Sequence, residues 1–122
     1  SPYNVNTLTQ RFGTAIYRHK ELLTERCRTI TKNTRTLYQS FLKLKDTYQV
    51  DFDIVEPCAN FVLIRTPMAE TIFRYLLDNG IAVRYFGGIG ALRITTGSEE
   101  ENTELLKMVE KYIIEKELSE NR

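Results

Sequence analysis

The longest periodic signal in the chain is an apolar stripe that runs through its N-terminal third. Apolar side chains recur there mostly every three or four residues, which is the spacing of one helical face. The stripe comprises Val5, Leu8, Phe12, Ala15, Ile16, Leu22, Leu23, Cys27, Ile30, Leu37, Phe41 and Leu44. No proline lies between Pro2 and Pro57. The pattern therefore predicts a helix of roughly 35–40 residues, which would be about 55–60 Å long.

The threonine-rich stretch from Arg28 to Thr36 leaves two interpretations of this helix open. Threonine loses rotamer freedom in a helix, so a bend or break is compatible with the stretch. In the first interpretation the helix is continuous and too long for its own core, so that part of its stripe packs on protein outside the 122 residues. In the second it breaks into two antiparallel helices on one core. The pattern favours neither.

The rest of the chain alternates between strand and helix patterns. Period-two alternation over Tyr48–Ile54 predicts a half-exposed strand, and the continuous apolar run Phe61–Ile64 predicts a strand covered on both faces. Two more strands are predicted at Ile81–Phe86 and Ala91–Thr96, joined by the glycine-rich turn Gly87–Gly90. That turn leads into a strand rather than a helix, so it does not fit a dinucleotide or nucleotide phosphate loop.

Two shorter helices complete the predicted fold. Thr66 is the predicted N-cap of the first, and Gly80 its predicted left-handed C-terminal residue. Ser98 and Glu101 form a predicted capping box for the second, which we expect to fray after Glu117. Its predicted buried stripe is Leu105, Met108, Val109, Tyr112 and Ile113. The fold class is therefore α/β: a long N-terminal helix followed by ββαββα, with helices covering a small sheet.

Composition narrows the class of protein. The 122 residues contain 42% hydrophobic and 27% charged residues, enough for one packed domain. The net charge of +1 hides a basic stretch over residues 11–48, where nine Lys/Arg face three Asp/Glu. Few aromatic residues accompany these charges, which is typical of a solvated helix face and not of a nucleic-acid site. No apolar run approaches the ~20 residues of a membrane span. We therefore expect no nucleic-acid or membrane partner.

The metal and redox chemistry of the chain is sparse. Cys27 and Cys58 lie in no metal-ligand spacing, and His19 is the single histidine. We expect no metal site, assign no role to Cys58 and interpret His19 as a packing residue. Two cysteines do not indicate a disulfide scaffold, so a reducing, cytoplasmic location is predicted.

Two arginines in otherwise apolar predicted strands are the candidate site. If the strands of Arg84 and Arg93 pair through the glycine turn, both side chains reach the same end of the sheet. Planar guanidinium groups bind carboxylates and phosphates bidentately, so the pair could form an anion site. The alternative is that each arginine is solvated on a strand face or pairs with a local carboxylate such as Asp53 or Glu56.

Several phrases resemble the C-terminal third of fold type I pyridoxal-phosphate-dependent aminotransferases, above all the histidinol-phosphate aminotransferase family. They occur in the family's order at Pro2–Asn6, Ala59–Leu63, Gly80–Arg84 and Leu92–Gly97, the last followed by Glu100–Asn102. The resemblance covers essentially the whole chain. Threonine-phosphate decarboxylases share the last two phrases, and the opening phrase favours the histidinol-phosphate branch.

The resemblance implies a division of roles. Arg93 would grip the acidic end of the substrate, either the phosphate of histidinol phosphate or the carboxylate of glutamate, and Arg84 would assist with the phosphate. Pyridoxal phosphate would be the cofactor of the whole enzyme, 2-oxoglutarate and glutamate its second substrate pair, and a homodimer its usual assembly. None of the seven lysines matches the family's cofactor-binding motif. The 122 residues are therefore expected to supply no catalytic residue, to bind no cofactor and to be inactive alone.

The domain organisation follows from the same resemblance. Residues 1–20 are predicted to be a segment that packs on an absent large domain, and residues 21–122 a small C-terminal α/β domain. An independent small α/β ligand-binding or regulatory module that uses the same two arginines is the alternative.

Overall fold

The computed structural model describes residues 13–57 and 59–120, with side chains described from residue 22 onward. Its elements are α1 (Gly13–Tyr48), β1 (Asp53–Val55), β2 (Phe61–Arg65), α2 (Ala69–Asp78), β3 (Arg84–Phe86), β4 (Ala91–Thr95) and α3 (Glu99–Glu120). This order confirms the predicted α/β fold. Among the described helices, none combines the length and the hydropathy of a membrane-spanning segment.

The described residues fall into two units, the first ending at Ile30 and the second beginning at Thr31. The second unit contains the whole sheet, both shorter helices and the hydrophobic core. The predicted domain division after residue 20 stays a prediction.

Helix α1 is continuous through its threonine-rich stretch, so the interpretation as two antiparallel helices is wrong. The hydroxyl of Thr36 donates to the carbonyl of Lys32, and that of Ser40 to the carbonyl of Thr36. Such bonds to the carbonyl four residues earlier keep a hydroxyl satisfied within the helix. Tertiary packing adds to this, because Leu37 and Phe41 are fully buried in the core. Packing of this kind outweighs the weak intrinsic preference of threonine.

The predicted strand over Tyr48–Ile54 is wrong in its first half. Tyr48 is the last residue of α1, and Gln49 ends the helix in the left-handed region with φ of 53°. The N–H of Val50 returns to the carbonyl of Lys45, so strand pairing starts only at Asp53. The alternation arises instead because this irregular link buries Phe52 completely and Val50 partly.

The four strands form one antiparallel sheet in the order β1-β2-β4-β3. One face carries the core residues Val62, Ile64, Leu92 and Ile94, on which the three helices contribute Leu37, Phe41, Ile72, Leu76, Leu105, Val109 and Ile113. We call the opposite face the arginine face; it comprises Asp53, Val55, Phe61, Leu63, Arg65, Arg84, Phe86, Ala91, Arg93 and Thr95. Phe61 and Leu63 are half-buried on this face, whereas Val62 and Ile64 are buried on the other, so within the described residues the strand is covered completely on one face and partly on the second.

The helix boundaries follow local hydrogen bonds. Helix α2 begins at Ala69, later than predicted, because Thr66 caps a preceding turn by accepting the N–H of Met68 at its hydroxyl. It ends at Asp78, and Gly80 follows in the left-handed region as predicted, with φ of 81°. The N–H of Gly80 donates to the carbonyl of Leu77, and the N–H of Ile81 donates to the carbonyl of Leu76. These two hydrogen bonds form a Schellman motif. Helix α3 continues to Glu120, past its predicted end.

Candidate anion site

The two predicted site residues lie directly opposite each other. Arg84 of β3 and Arg93 of β4 are register partners in the antiparallel pair, so both project from the arginine face. Pairing is confined to Arg84–Phe86 on β3, because the three residues before Arg84 are not strand. The glycine turn joins the two strands, as predicted, and its Gly90 has φ of 60°. The structure thus brings together the two guanidinium-bearing residues singled out from sequence.

Neither arginine pairs with a carboxylate in the part of the chain that the structure describes. The two acidic residues considered as local partners bind other arginines. Asp53 accepts two hydrogen bonds from Arg65, the shorter at 2.6 Å, and Glu56 accepts one from Arg35 at 3.2 Å. The interpretation of Arg84 and Arg93 as members of those ion pairs is therefore wrong. Like charges directly opposite each other are unfavourable in a sheet, so the charges of this pair do not stabilise the contact between β3 and β4.

Two aromatic rings contact the arginines instead. The Cζ atom of Arg93 lies 4.4 Å from the ring centroid of Phe61, and that of Arg84 lies 5.6 Å from the ring centroid of Phe86. Both distances are within the range of a cation–π contact. The sequence alone does not indicate these contacts. Phe61 has the pattern of an ordinary strand residue, and only the strand register shows that it lies diagonally opposite Arg93.

The Nε atom of Arg93 is buried and has no hydrogen-bond partner within the described residues. An unpaired buried donor costs stability, by about 1–3 kcal/mol when measured by mutation. Arg84 is exposed, whereas Arg93 is half-buried. The two arginines are thus unequal: one is embedded in the face and the other lies at the edge strand.

A pocket of about 460 Å³ includes both arginines in its lining. Its walls are residues 80–84, the end of β4 and the first turns of α3. Two carboxylates, Glu101 and Glu104, also line it. Glu101 is engaged in the predicted capping box, since its carboxylate accepts the N–H of Ser98 and its own N–H donates to the Ser98 hydroxyl. Two interactions with Ser98 lower the pKa of Glu101. The hydrogen bond with the Ser98 backbone has the larger effect, and the hydrogen bond with the Ser98 side chain has the smaller one.

The segment after β4 is fixed from two sides. The side-chain carbonyl of Asn102 accepts the N–H of Gly97 at 2.9 Å, and its amide group donates to the carbonyl of Gly97 at 3.4 Å. The N–H of Thr96 donates to the carbonyl of Asn60, the residue before β2. Asn102 is almost completely buried, so these bonds are shielded from water. They hold the end of the strand that carries Arg93.

The chemistry available in this pocket is binding. Its lining contains no lysine, histidine, cysteine or serine. Within the described residues, no group of three or more His, Cys, Asp or Glu side chains could hold a metal ion. The lining therefore combines two arginines, which suit an anion, with the carboxylates of Glu101 and Glu104 and the hydroxyl of Thr95.

Comparison with known proteins identifies the family. Residues 1–109 match the sequence family described as aminotransferase class I and II. The chain belongs to the class I and II aminotransferases. The histidinol-phosphate aminotransferase of Clostridium kluyveri is 36% identical to this aminotransferase chain over 115 residues, which are 92% of the chain and 31% of the relative. The chain thus spans about a third of the length of the curated relatives it matches.

Solved structures share the fold of this aminotransferase chain. The histidinol-phosphate aminotransferase of Sinorhizobium meliloti, solved in complex with pyridoxal-5'-phosphate, has a TM-score of 0.62 at 19% identity and covers 83% of this chain and 28% of its own. That of Clostridium acetobutylicum has a TM-score of 0.60 at 24% identity and covers 70% and 27%. These similarities confirm the architecture of an aminotransferase domain.

The sequence segments that resemble the family occupy defined places in the fold. Leu92–Gly97 forms most of β4 and the clamped segment after it, and Glu100–Asn102 forms the first turn of α3. The roles predicted for Arg84 and Arg93 stay predictions. The phrase Pro2–Asn6, Cys58 and the side chain of His19 lie outside the described residues.

Proposed function

We propose that this chain is the anion-binding part of a pyridoxal-phosphate-dependent aminotransferase of the histidinol-phosphate type. The observation that carries the proposal is the opposed pair Arg84 and Arg93, which have no carboxylate partner among the described residues and line one pocket. The relatives named histidinol-phosphate aminotransferase support the substrate class.

Arg93 is the principal anion receptor in this proposal. Its planar guanidinium presents parallel N–H groups that match two oxygens of a carboxylate or phosphate. Burial of part of the side chain lowers the local dielectric, which strengthens the attraction. Arg84, being exposed on the edge strand, adds a second positive charge that suits a phosphate dianion better than a carboxylate. The anion in turn relieves the repulsion between the two opposed cations.

The cofactor does not fit the residues of this pocket. Pyridoxal phosphate needs a lysine for its Schiff base, and no lysine lines the pocket. When bound elsewhere in the enzyme, the cofactor supplies the electron sink for transamination. We therefore assign Arg84 and Arg93 to substrate binding alone. We also propose that the whole enzyme uses glutamate and 2-oxoglutarate as its second substrate pair, acts as a homodimer and is cytoplasmic.

Phosphate binding by the chain tests the anion site. Inorganic phosphate is titrated into the 122-residue chain while backbone amide resonances are followed. Arg93→Gln should raise the dissociation constant about tenfold or more, since hydrogen bonds to charged groups are worth about 1.5–3 kcal/mol. Arg84→Gln should raise it less. Arg74→Gln, which removes an exposed arginine from α2, is the matched control and should bind like the original chain. Equal binding by all four proteins would overturn the site.

The reaction is tested on a protein that contains this chain together with a cofactor-binding region. Histidinol phosphate should be converted in the presence of 2-oxoglutarate with formation of glutamate, and Arg93→Gln should raise KM strongly. Release of carbon dioxide from L-threonine O-3-phosphate without glutamate formation would instead assign a decarboxylase. Ligand binding without either reaction would favour the independent module.

A further inference from the structure

We propose that Phe61 is a positioning residue that orients the Arg93 guanidinium for anion binding. The inference rests on the proposed function, which supplies the anion. It assigns a role to a residue whose sequence context indicates only a strand.

The sheet register brings the two side chains together. Phe61 is opposite Thr95 in the β2–β4 pair, and Leu63 is opposite Arg93. Phe61 is therefore the diagonal neighbour of Arg93 on the same face. Diagonal positions are roughly 7–8 Å apart, which aromatic and long side chains can bridge. The observed distance of 4.4 Å from the Cζ atom to the ring centroid shows that they do.

A contact of this kind does not use the hydrogen-bond donors of a guanidinium group. A cation–π contact uses the face of the guanidinium or its charge above the ring, whereas an anion is bound at the N–H edge. Arg65 on the same face shows the contrary arrangement. Its Nε and Nη2 atoms both donate to Asp53, so two of its five N–H groups are already bound to a carboxylate. A ring can therefore fix Arg93 without consuming the groups that an anion needs.

The unpaired Nε of Arg93 fits the same role. This donor is buried and has no partner among the described residues, so hydrogen bonds do not hold the guanidinium in place there. The ring of Phe61 is the closest aromatic contact that the structure shows for it. Arg84 differs, since it is exposed and 5.6 Å from the Phe86 centroid. We therefore expect Phe61 to matter more for binding than Phe86.

Three variants separate the ring face from the bulk of the side chain. Phe61→Leu keeps apolar volume and removes the π face. Phe61→Tyr keeps the face. Phe86→Leu is the matched control, because it removes the other ring of the arginine face. Each is measured in the 122-residue chain, with thermal unfolding recorded so that a loss of fold is recognised.

Two readouts report on Arg93. The first is the rotation rate about the Nε–Cζ bond of Arg93, measured by nitrogen NMR without ligand; Phe61→Leu should accelerate it and Phe61→Tyr should not. The second is the dissociation constant for inorganic phosphate. Phe61→Leu should raise it about two- to fivefold, the equivalent of an exposed cation–π contact. Phe61→Tyr should restore binding, and Phe86→Leu should change it less than Phe61→Leu.

The outcomes distinguish the two proposals. One outcome keeps the anion site and overturns the positioning role of Phe61. In that outcome Arg93→Gln abolishes phosphate binding, while Phe61→Leu has the phosphate affinity and the Arg93 Nε–Cζ rotation rate of the original chain. If the original chain binds no phosphate, the anion site is overturned, and with it the role of Phe61 in binding. Faster rotation and weaker binding in Phe61→Leu, both restored in Phe61→Tyr, would support the inference.

Discussion

The hydroxyls of Thr34 and Thr96 hydrogen-bond to each other and join α1 to the segment that follows β4. Thr34 is buried, with 2% of its surface exposed, although it lies in the stretch of the helix with the lowest helix propensity. Thr96 also donates its N–H to Asn60. The segment between Arg93 and α3 is thus tied to a helix far away in sequence. This contact gives the threonine-rich stretch a structural purpose.

Removing the Thr34 hydroxyl should destabilise the fold. Thr34→Val keeps the shape and deprives Thr96 of its partner, so we expect a loss of about 1 kcal/mol in the free energy of unfolding. The double variant with Thr96→Val should lose less than the sum of the two single variants, because both polar groups then disappear together. Urea unfolding measures all three.

Thr36→Val is the control for this comparison. Its hydroxyl is exposed and bonds only within the helix, to the carbonyl of Lys32, as far as the structure describes it. We expect a change of less than about 0.5 kcal/mol, as for other surface substitutions. Equal losses for Thr34→Val and Thr36→Val would show that the link to Thr96 contributes nothing.

Gly80 should resist substitution because of its backbone and not because of its surroundings. Its φ of 81° is unfavourable for residues with a Cβ atom, yet a Cβ placed there would have no neighbour within 4 Å. Gly80→Ala should therefore cost about 1–2 kcal/mol, the penalty of the left-handed conformation. Gly80→Asn should cost less, since asparagine tolerates that region.

Gly88→Ala provides the matched comparison for Gly80. A Cβ at Gly88 also has no neighbour within 4 Å, but its backbone is not in the left-handed region. Thermal unfolding should show little change for Gly88→Ala. A Tm of Gly80→Ala equal to that of Gly88→Ala would contradict the conformational explanation.

Asn102 should control the order of the segment after β4. Asn102→Ala removes both hydrogen bonds to Gly97, so the N–H of Gly97 loses the Asn102 side-chain carbonyl as its acceptor. We expect a loss of about 1–3 kcal/mol and faster hydrogen exchange at the Gly97 amide. Thr103→Ala, the exposed neighbour on α3, should leave that exchange rate unchanged. Unaltered protection of the Gly97 amide from hydrogen exchange in Asn102→Ala would show that the Asn102 side chain does not order this segment.

Local signals in the sequence predicted most of the fold. The capping residues Ser98 and Glu101 and the terminator Gly80 determine helix ends through bonds within a few residues, so they can be recognised without tertiary information. The strand predicted from Tyr48 failed because its alternation came from one-sided burial of an irregular link. Periodicity reports burial, and a non-regular segment can produce the same pattern.

In the candidate site, too, residues set by local signals were predictable and residues set by tertiary contacts were not. Arg84 and Arg93 were recognisable because charged residues are conspicuous within apolar strands, and the hairpin that opposes them depends on a local turn. Phe61 was not, since it acts on a residue of another strand. The diagonal of Phe61 to Arg93 requires the β2–β4 register, which no local pattern in the chain encodes.

The capping box makes stability depend on pH in a defined direction. The bonds from Ser98 lower the pKa of Glu101 below its ordinary value of 4.5. A group with a lowered folded-state pKa stabilises the fold above its unfolded-state pKa and loses that contribution as pH falls through the folded-state value. Glu101→Gln should therefore lower Tm at pH 7, and the difference should shrink below pH about 4.

Glu100→Gln is the control, because it removes the same charge from the same exposed turn. Both variants lose the favourable interaction of a carboxylate with the helix N-terminus, so that effect cancels in the comparison. Only Glu101 accepts the Ser98 N–H, which a neutral glutamine accepts more weakly. The Tm deficit of Glu101→Gln should exceed that of Glu100→Gln at neutral pH and approach it in acid. A deficit that stays constant from pH 7 to pH 3 would show that the charge on Glu101 does not stabilise the start of α3.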